Sequence, residues 1–502
     1  MSPGDRLRRA VRRVLRAGES LSDRAVTGGI WVTLYNLVDR GLQLATILFL
    51  ARLLDPLAFG ILGIALVTES ALVRLTKLGM DTALIQRRED DVDAYLDTVW
   101  VVELARGLLL GAVLFLSAPA IAAFFGEPRV VDILRVFALL PVLEGLQNPG
   151  LVYLVKQLEF DKDVAYKFSG RLAFTAVGVG YGALTESVWA LVFATLASQS
   201  VRVVVSYLIH DYRPWLRFDR AAAAELFDYG KWVFGSEWLM FLINEGDDVF
   251  VGWILGPFAL GIYQLSYRLA NAPTTEITHP IQRVVFPTYS QLQDDHPSLR
   301  RGYYATVRLI TVVSFPAAAG LIVVAPVFVP SVLGPDWAPV VVPMQLLAAY
   351  AALRSFRSAT VPLFRAVGRP DLDTKIRLLK LALLAPAIYP ASQAFGLDGV
   401  AFVVFAHALI AAPVASLVAV RLIDGVFVDF LRVLFFPLVG SAVMAAVVFA
   451  VRERLTGLPG VVELVVLVGV GAAVYGVVMF GLERQVGIGL DEMYRTIRNS
   501  VR

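Results

Sequence analysis

Charged and amide side chains recur at helical spacing inside long apolar stretches. Asn36, Asp39, Arg40 and Gln43 fall at i, i+3, i+4 and i+7, which puts all four on one helix face. Glu237, Asn244 and Asp248 fall at i, i+7 and i+11, a single line flanked by Glu245 and Asp247. Gln264, Arg268, Asn271, Thr275, His279 and Gln282 form a third stripe, with Pro273 and Pro280 able to bend it. Glu69 with Arg74, Glu103 with Arg106, the set Glu144, Gln147 and Asn148, and the set Arg354, Arg357, Ser358 and Arg365 complete the pattern. A charge at the centre of a bilayer costs at least about 2.5 kcal/mol, so such residues face a cavity or a partner.

Two chemistries suit these residue types. A guanidinium is always charged and offers a planar fork of donors that matches phosphate. Arg40, Arg74, Arg268, Arg354 and Arg357, helped by Asn36, Gln43 and Asn271, are therefore candidates for holding a phosphate or pyrophosphate headgroup. Carboxylates on the same faces could bind a coupling cation or exchange a proton; Glu237, Asp39, Asn244 and Asp248 are the candidates. Structural alternatives stay open beside these. Asp39 with Arg40, and Glu103 with Arg106, could be plain ion pairs. Lys77, Arg171, Arg202, Arg283, Arg308 and Arg365 fit snorkelling anchors near helix ends. Glu144 and His407 fit packing residues, and Glu245, Asp247 and Asp248 fit an acidic outer rim.

The elements that position these residues follow from composition. The 502 residues are 57% hydrophobic and 17% charged, with a mean hydropathy of +0.68, so most of the chain must face lipid. With no Cys, disulfide frameworks and thiolate zinc sites are excluded, four His leave little for a histidine-built metal centre, and no cofactor is expected. Apolar segments of roughly 20 to 28 residues follow one another from about residue 25. Turn signals at Asp55-Pro56, Gly126-Glu127-Pro128, Thr185-Glu186, Gly256-Pro257, Gly334-Pro335-Asp336, Gly396-Leu397-Asp398 and Leu458-Pro459-Gly460 alternate with charged breaks. About fourteen spans result, in an all-α polytopic membrane protein.

The charged breaks carry Arg87, Arg88, Lys162, Arg213, Arg217, Arg220, Arg300, Arg301 and Arg369, whereas the turn-type breaks carry little basic charge. By the positive-inside rule the charged breaks and both termini are cytoplasmic, in a plasma or inner membrane. The net charge of +3 fits this topology better than nucleic-acid binding. Residues 1–24, with Arg6, Arg8, Arg9, Arg12, Arg13 and Arg16, read either as an interfacial amphipathic helix or as a basic tail, not a signal peptide.

An internal repeat organises the spans. Leu54-Asp55-Pro56-Leu57-Ala58-Phe59-Gly60 aligns with Leu255-Gly256-Pro257-Phe258-Ala259-Leu260-Gly261, and Val188, Val192, Phe193 and Ala194 recur as Val400, Val404, Phe405 and Ala406. Two six-span lobes of the same orientation are expected, at 25–214 and 225–424, with two accessory spans at 425–483 and a cytoplasmic tail at 484–502. The polar stripes of each lobe would then line a shared cavity.

Ala51-Arg52-Leu53-Leu54-Asp55-Pro56 through Phe59-Gly60, then Leu78-Gly79 and Ala83-Leu84-Ile85-Gln86-Arg87, resemble the first helix pair of Wzx-type oligosaccharide flippases. Val188-Trp189-Ala190-Leu191-Val192, Asp248 to Gly252, Leu255-Gly256-Pro257, Leu260-Gly261-Ile262-Tyr263, Phe286-Pro287 and Gly368-Arg369-Pro370 continue the likeness over roughly residues 25 to 425. The resemblance implies a V-shaped, two-lobed member of the multidrug, oligosaccharidyl-lipid and polysaccharide exporter superfamily. It would move polyprenyl-linked oligosaccharides between leaflets, with cavity arginines at Arg40, Arg74 and Arg268. Glycosyltransferases or a polymerase of the same pathway would be its partners, beside membrane lipid. Related lipid II flippases hold sodium with acids and amides on helices 7 and 11; here helix 7 has Glu237, whereas helix 11 shows Lys375, Arg377 and Lys380 and no acid.

Other classes fit less well. A membrane glycosyltransferase or polymerase could use the acidic pairs Asp91/Asp93, Asp161/Asp163 and Asp371/Asp373, but these sit on short breaks with no room for a catalytic domain. A multidrug exporter would share the fold but needs a largely apolar, acid-bearing pocket rather than several arginines. Gly178, Gly180 and Gly182 mimic a nucleotide-binding spacing, yet no strand precedes them; close helix packing is expected instead.

Overall fold

The computed structural model describes residues 21–76, 84, 92–157, 159–455 and 458–486. Outside them lie the N-terminal arginines, Lys77, Leu78-Gly79, Arg87, Arg88, Asp91 and the tail arginines from Arg495, as do the side chains of His279 and Arg283. Every regular element among the described residues is helical. The chain divides into two compact units, Met1–Leu260 and Gly261–Arg502.

The first unit runs α1 (Leu21–Leu53), α2 (Pro56–Arg74), α3 (Asp93–Phe125), the short α4 (Val130–Phe137), α5 (Leu139–Gly145) and α6 (Val152–Lys156), then α7 (Phe160–Thr185), α8 (Trp189–Ile209) and α9 (Arg220–Ile254). Asp55 caps α2 by accepting from the Ala58 N–H at 2.7 Å, with Pro56 in the first turn where its missing N–H costs nothing. Gly126, at φ 68°, ends α3 in the left-handed conformation that a glycine tolerates. The stretch 128–156, expected as one span, is broken. Asn148 is extended at φ −68°, ψ 117°, because Pro149 follows it, and a single 3-10 turn separates α5 from α6.

Small residues let these pieces pack. A Cβ on Gly107 of α3 would strike the Pro141 carbonyl, and one on Gly145 would come within 2.5 Å of the Glu103 carbonyl, so the α3 and α5 backbones touch. On α7, Gly178 faces Leu50 and Ala194, and Gly182 faces Leu50 and Ala190. Gly178 and Gly182 therefore serve packing of α7 against α1 and α8, whereas a Cβ on Gly180 would meet nothing within 4 Å.

The second unit contains α10 (Gly256–Gln291) from Gly261 onward, α11 (His296–Phe328), α12 (Val341–Ser355), α13 (Arg357–Ala366), α14 (Asp371–Leu422), α15 (Phe427–Arg452) and α16 (Gly460–Val486). The expected break at Gly396 is present inside α14, where that residue takes φ 58° and ψ −135°. Prolines in α11 leave carbonyls unpaired, and other helices supply the missing donors. Pro316 frees the Val312 carbonyl, which accepts from the Tyr475 hydroxyl at 2.7 Å, and Pro326 frees that of Ile322, which accepts from Gln345 Nε2 at 2.7 Å. Val324, Met444, Val448 and Leu467 form a core on which Tyr475 packs, and Tyr289, Tyr303, Phe364 and Phe430 belong to a second core in this unit.

Among the described residues eight helices are long and apolar enough to cross a membrane. Helices α1, α7, α9 and α10 are of comparable length but carry more polar residues, as the stripes require. Leu431, Phe435 and Leu438 of α15 and Val465 and Val468 of α16 are exposed, an apolar surface suited to lipid.

Candidate functional site

In the first unit a cavity of about 560 Å³ opens among α2, α3, α5 and α9, and its wall includes Arg74, Trp100, Glu103, Arg106, Glu144, Gln147 and Glu237. Its arginines are already paired. Arg106 holds Glu103 at 2.7 Å and reaches Thr76 Oγ1 at 3.2 Å. Arg74 meets Glu245 of α9 at 3.2 Å, and Ser70 donates to the same carboxylate at 3.1 Å. Glu144 and Glu237 face the same space, so carboxylates outnumber guanidiniums on this wall. Asn148 also lines it at 1% exposure, with its amide donating to the carbonyls of His210 and Tyr212 and its Oδ1 accepting from Gly150 N–H.

The helix-1 stripe divides. Asp39 pairs not with its neighbour Arg40 but with Arg171 of α7, at 2.7 and 3.3 Å, because i and i+1 side chains point apart on a helix. Arg171 thus has a specific partner rather than only a snorkelling role. Arg40 is exposed and reaches Gln43 Oε1 at 3.5 Å, while Asn36 and Gln43 are half-buried. On α9, Asn244 is exposed and Asp248 half-buried.

The second unit assembles a different cluster. Arg354, at the end of α12, donates to the Tyr267 hydroxyl at 3.0 Å and lies 5.8 Å from the centroid of the Tyr350 ring. Lys380 of α14 stands 5.9 Å from that same centroid, and the His407 ring lies 5.6 Å from it. No carboxylate pairs with Arg354 among the described residues. Arg357, in contrast, shares Asp373 with Arg377, at 2.8 and 2.9 Å. Asn271 is 5% exposed; its Nδ2 donates to the Tyr267 carbonyl at 2.8 Å and its Oδ1 has no partner. Arg268 is exposed on α10.

Two expectations need correction. Asp371 and Asp373 belong to the first turn of α14 rather than to a loop, so this helix does carry an acid. Asp373 is 8% exposed and bridges two arginines, while Asp371 accepts from Arg369 and Lys375. Tyr267 and Tyr350 are absent from the sequence reading, Lys380 and Asp373 enter it only as a helix-11 cation and as half of an acidic pair, and for His407 packing is one alternative left open. The spacing of Tyr350 and Arg354 at i, i+4 is the signal that could have found the aromatic half of the cluster.

The chain as a whole is similar to known proteins. The family model for "Polysaccharide biosynthesis protein" matches residues 49–342. The chain is 28% identical over 389 residues to the lipopolysaccharide biosynthesis protein WzxC of Escherichia coli (strain K12), covering 76% of this chain and 78% of that one. It is 25% identical over 492 residues to the succinoglycan biosynthesis transport protein ExoT of Rhizobium meliloti (strain 1021), covering 95% and 97%. Among solved structures, the lipid II flippase MurJ in an inward closed conformation superposes with a TM-score of 0.73 at 12% identity, over 91% of this chain and 99% of that one. An inward-facing multidrug resistance transporter of the MATE family gives 0.60 at 17% identity, over 78% and 94%. The chain therefore shares the fold of these two structures, and, matched over more than half its length, it belongs to the polysaccharide biosynthesis protein family.

Proposed function

We propose that the protein is a flippase that carries polyprenyl-pyrophosphate-linked oligosaccharides from the cytoplasmic to the outer leaflet by alternating access. It is a multi-span transporter rather than an enzyme, in keeping with a relative named as a transport protein and with the lipid II flippase fold. The observation that carries the cargo is Arg354, a guanidinium whose partners among the described residues are two tyrosines and no carboxylate. Such a group has donors left for a phosphate, and a tyrosine hydroxyl and Lys380 beside it add to the attraction. Arg40, Arg268, Asn36, Gln43 and Asn271 supply further donors along the path. Arg74 and Arg357 already hold carboxylates and contribute less.

Glu237, beside Glu144 in the acid-rich cavity, is the coupling group, with Asp39, Asn244 and Asp248 as secondary candidates. A proton or cation taken up there, or the membrane potential at about 2.3 kcal/mol per charge per 100 mV, resets the cycle. Lobes at 25–214 and 225–424, accessory spans at 425–483 and cytoplasmic termini complete the reading. Glycosyltransferases of the same pathway deliver the cargo and a polymerase consumes it.

The test reconstitutes the protein in liposomes with a fluorescent short-glycan polyprenyl pyrophosphate and follows leaflet access by an impermeant quencher. Protein-dependent flipping that is lost in Arg354→Ala supports the proposal. Uptake of lipophilic cations without flipping would replace it with a drug exporter.

A further inference from the structure

The segment joining α8 to α9 runs over residues 210–219. It has no helix, yet its backbone is fastened to α3. The Tyr212 hydroxyl and the Trp215 N–H both donate to Asp97 Oδ1, at 2.9 and 2.8 Å, and the Asp219 N–H donates to Thr98 Oγ1 at 3.1 Å. Arg213 folds back on the end of α8, donating to the His210 carbonyl at 2.7 Å with its guanidinium 5.8 Å from the Tyr207 ring centroid.

What this fixed backbone presents is apolar. The Arg217 N–H donates to the Trp215 carbonyl at 2.7 Å, a three-residue turn that throws Leu216 to the tip. Trp215, Leu216 and Phe218 are 70%, 79% and 55% exposed. Two arginines, Arg217 and Arg220, are exposed beside them, while two of the segment's neighbouring acids are occupied: Asp97 by the bonds above and Asp219 by capping the Ala221 N–H at 2.7 Å. Asp211 is the remaining exposed acid. A Trp with bulky apolar neighbours, flanked by arginines at the end of a spanning helix, has the composition of an interfacial anchor.

We infer that residues 212–220 insert their Trp-Leu-Arg-Phe tip into the bilayer surface and that Arg217 and Arg220 select anionic phospholipid there. The apolar residues would enter the boundary between headgroups and acyl chains, and the arginines would meet phosphate and glycerol headgroups. Water is a poor alternative for three large apolar side chains that the chain takes the trouble to hold in place. This inference is independent of the cargo and of the transport reaction.

The absence of cysteine from the whole chain makes the test direct. Leu216→Cys, and Gln293→Cys at the exposed turn before α11 as a reference, are each given a nitroxide label and reconstituted in phosphatidylcholine with or without phosphatidylglycerol in both leaflets. Label depth is read from accessibility to oxygen against a water-soluble nickel chelate. At position 216 the label should lie about 5–10 Å below the headgroup surface, and its inserted fraction should rise with phosphatidylglycerol. In Leu216→Cys combined with Arg217→Gln and Arg220→Gln the insertion equilibrium should weaken by roughly fivefold per arginine in phosphatidylglycerol, with little change in phosphatidylcholine alone. A label as open to nickel as that at position 293 in both membranes would overturn the anchor and leave a protein-docking or solvated surface. Insertion that ignores phosphatidylglycerol and both arginines would overturn the lipid selectivity.

Discussion

The first unit's cavity and the second unit's tyrosine cluster treat arginine in opposite ways. In the cavity, Arg74 and Arg106 each hold a carboxylate, and Glu144 and Glu237 remain beside them. In the cluster, Asp373 serves two arginines, and among the described residues Arg354 is held by tyrosines. Neutralised arginines fix helix positions; an arginine held by neutral hydroxyls keeps its charge for a ligand. The difference teaches that counting buried arginines says little until each one's partner is known.

The strongest way to break this comparison is to exchange the two kinds of arginine. Arg354→Gln should lower the flipping rate by roughly tenfold or more, since a hydrogen bond to a charged group is worth about 1.5–3 kcal/mol, while Arg106→Gln should cost far less cargo binding. Equal losses of cargo affinity in the two variants would show that the units do not differ. Asp373→Asn attacks the other arm: it leaves Arg357 and Arg377 without their shared carboxylate, and the folded state should lose about 3 kcal/mol, the low end for breaking a buried pair. An unchanged melting temperature in detergent would mean that these arginines are solvated instead.

Glu237→Gln sharpens the assignment of the acidic side. It should abolish the response of flipping to a pH gradient while leaving cargo binding intact, and a preserved gradient response would remove Glu237 from the coupling. Tyr475→Phe tests a purely structural bond in the second unit. Losing the donor to the Val312 carbonyl should cost about 1 kcal/mol in thermal stability with no effect on cargo affinity.

The smallest effect belongs to the end of α8. Burial, opposed by Asp211 and Asp93, holds the His210 imidazole below its ordinary pKa, and the ring stacks on Tyr153. The unfolded chain therefore takes up a proton that the folded one resists. The contribution is fully present above about pH 6.5 and is lost as pH falls through the depressed folded value. A melting temperature that declines modestly below that pH, and declines less in His210→Gln, is the expected result.

Much of the fold was readable because lipid imposes simple rules. Apolar length, turn chemistry at Asp55-Pro56 and Gly126, and the break at Gly396 are local properties of the chain, and each appears where the residues place it. The interruption at Asn148-Pro149 was also in the residues, but length and hydropathy concealed it. Candidate charges were found for the same reason, since any ionisable group in an apolar segment stands out.

Sequence alone determined that this is an all-helical chain with spans long and apolar enough for a membrane and which of its spans carry polar stripes, because solvation in lipid acts residue by residue. Only the tertiary structure decided that Asp39 belongs to Arg171, Arg74 to Glu245 and Asp373 to both Arg357 and Arg377. It also left Arg354 to Tyr267 and Tyr350. Pairing of charges is a property of which helix faces meet, and residues as far apart as 39 and 171 carry no local sign of one another.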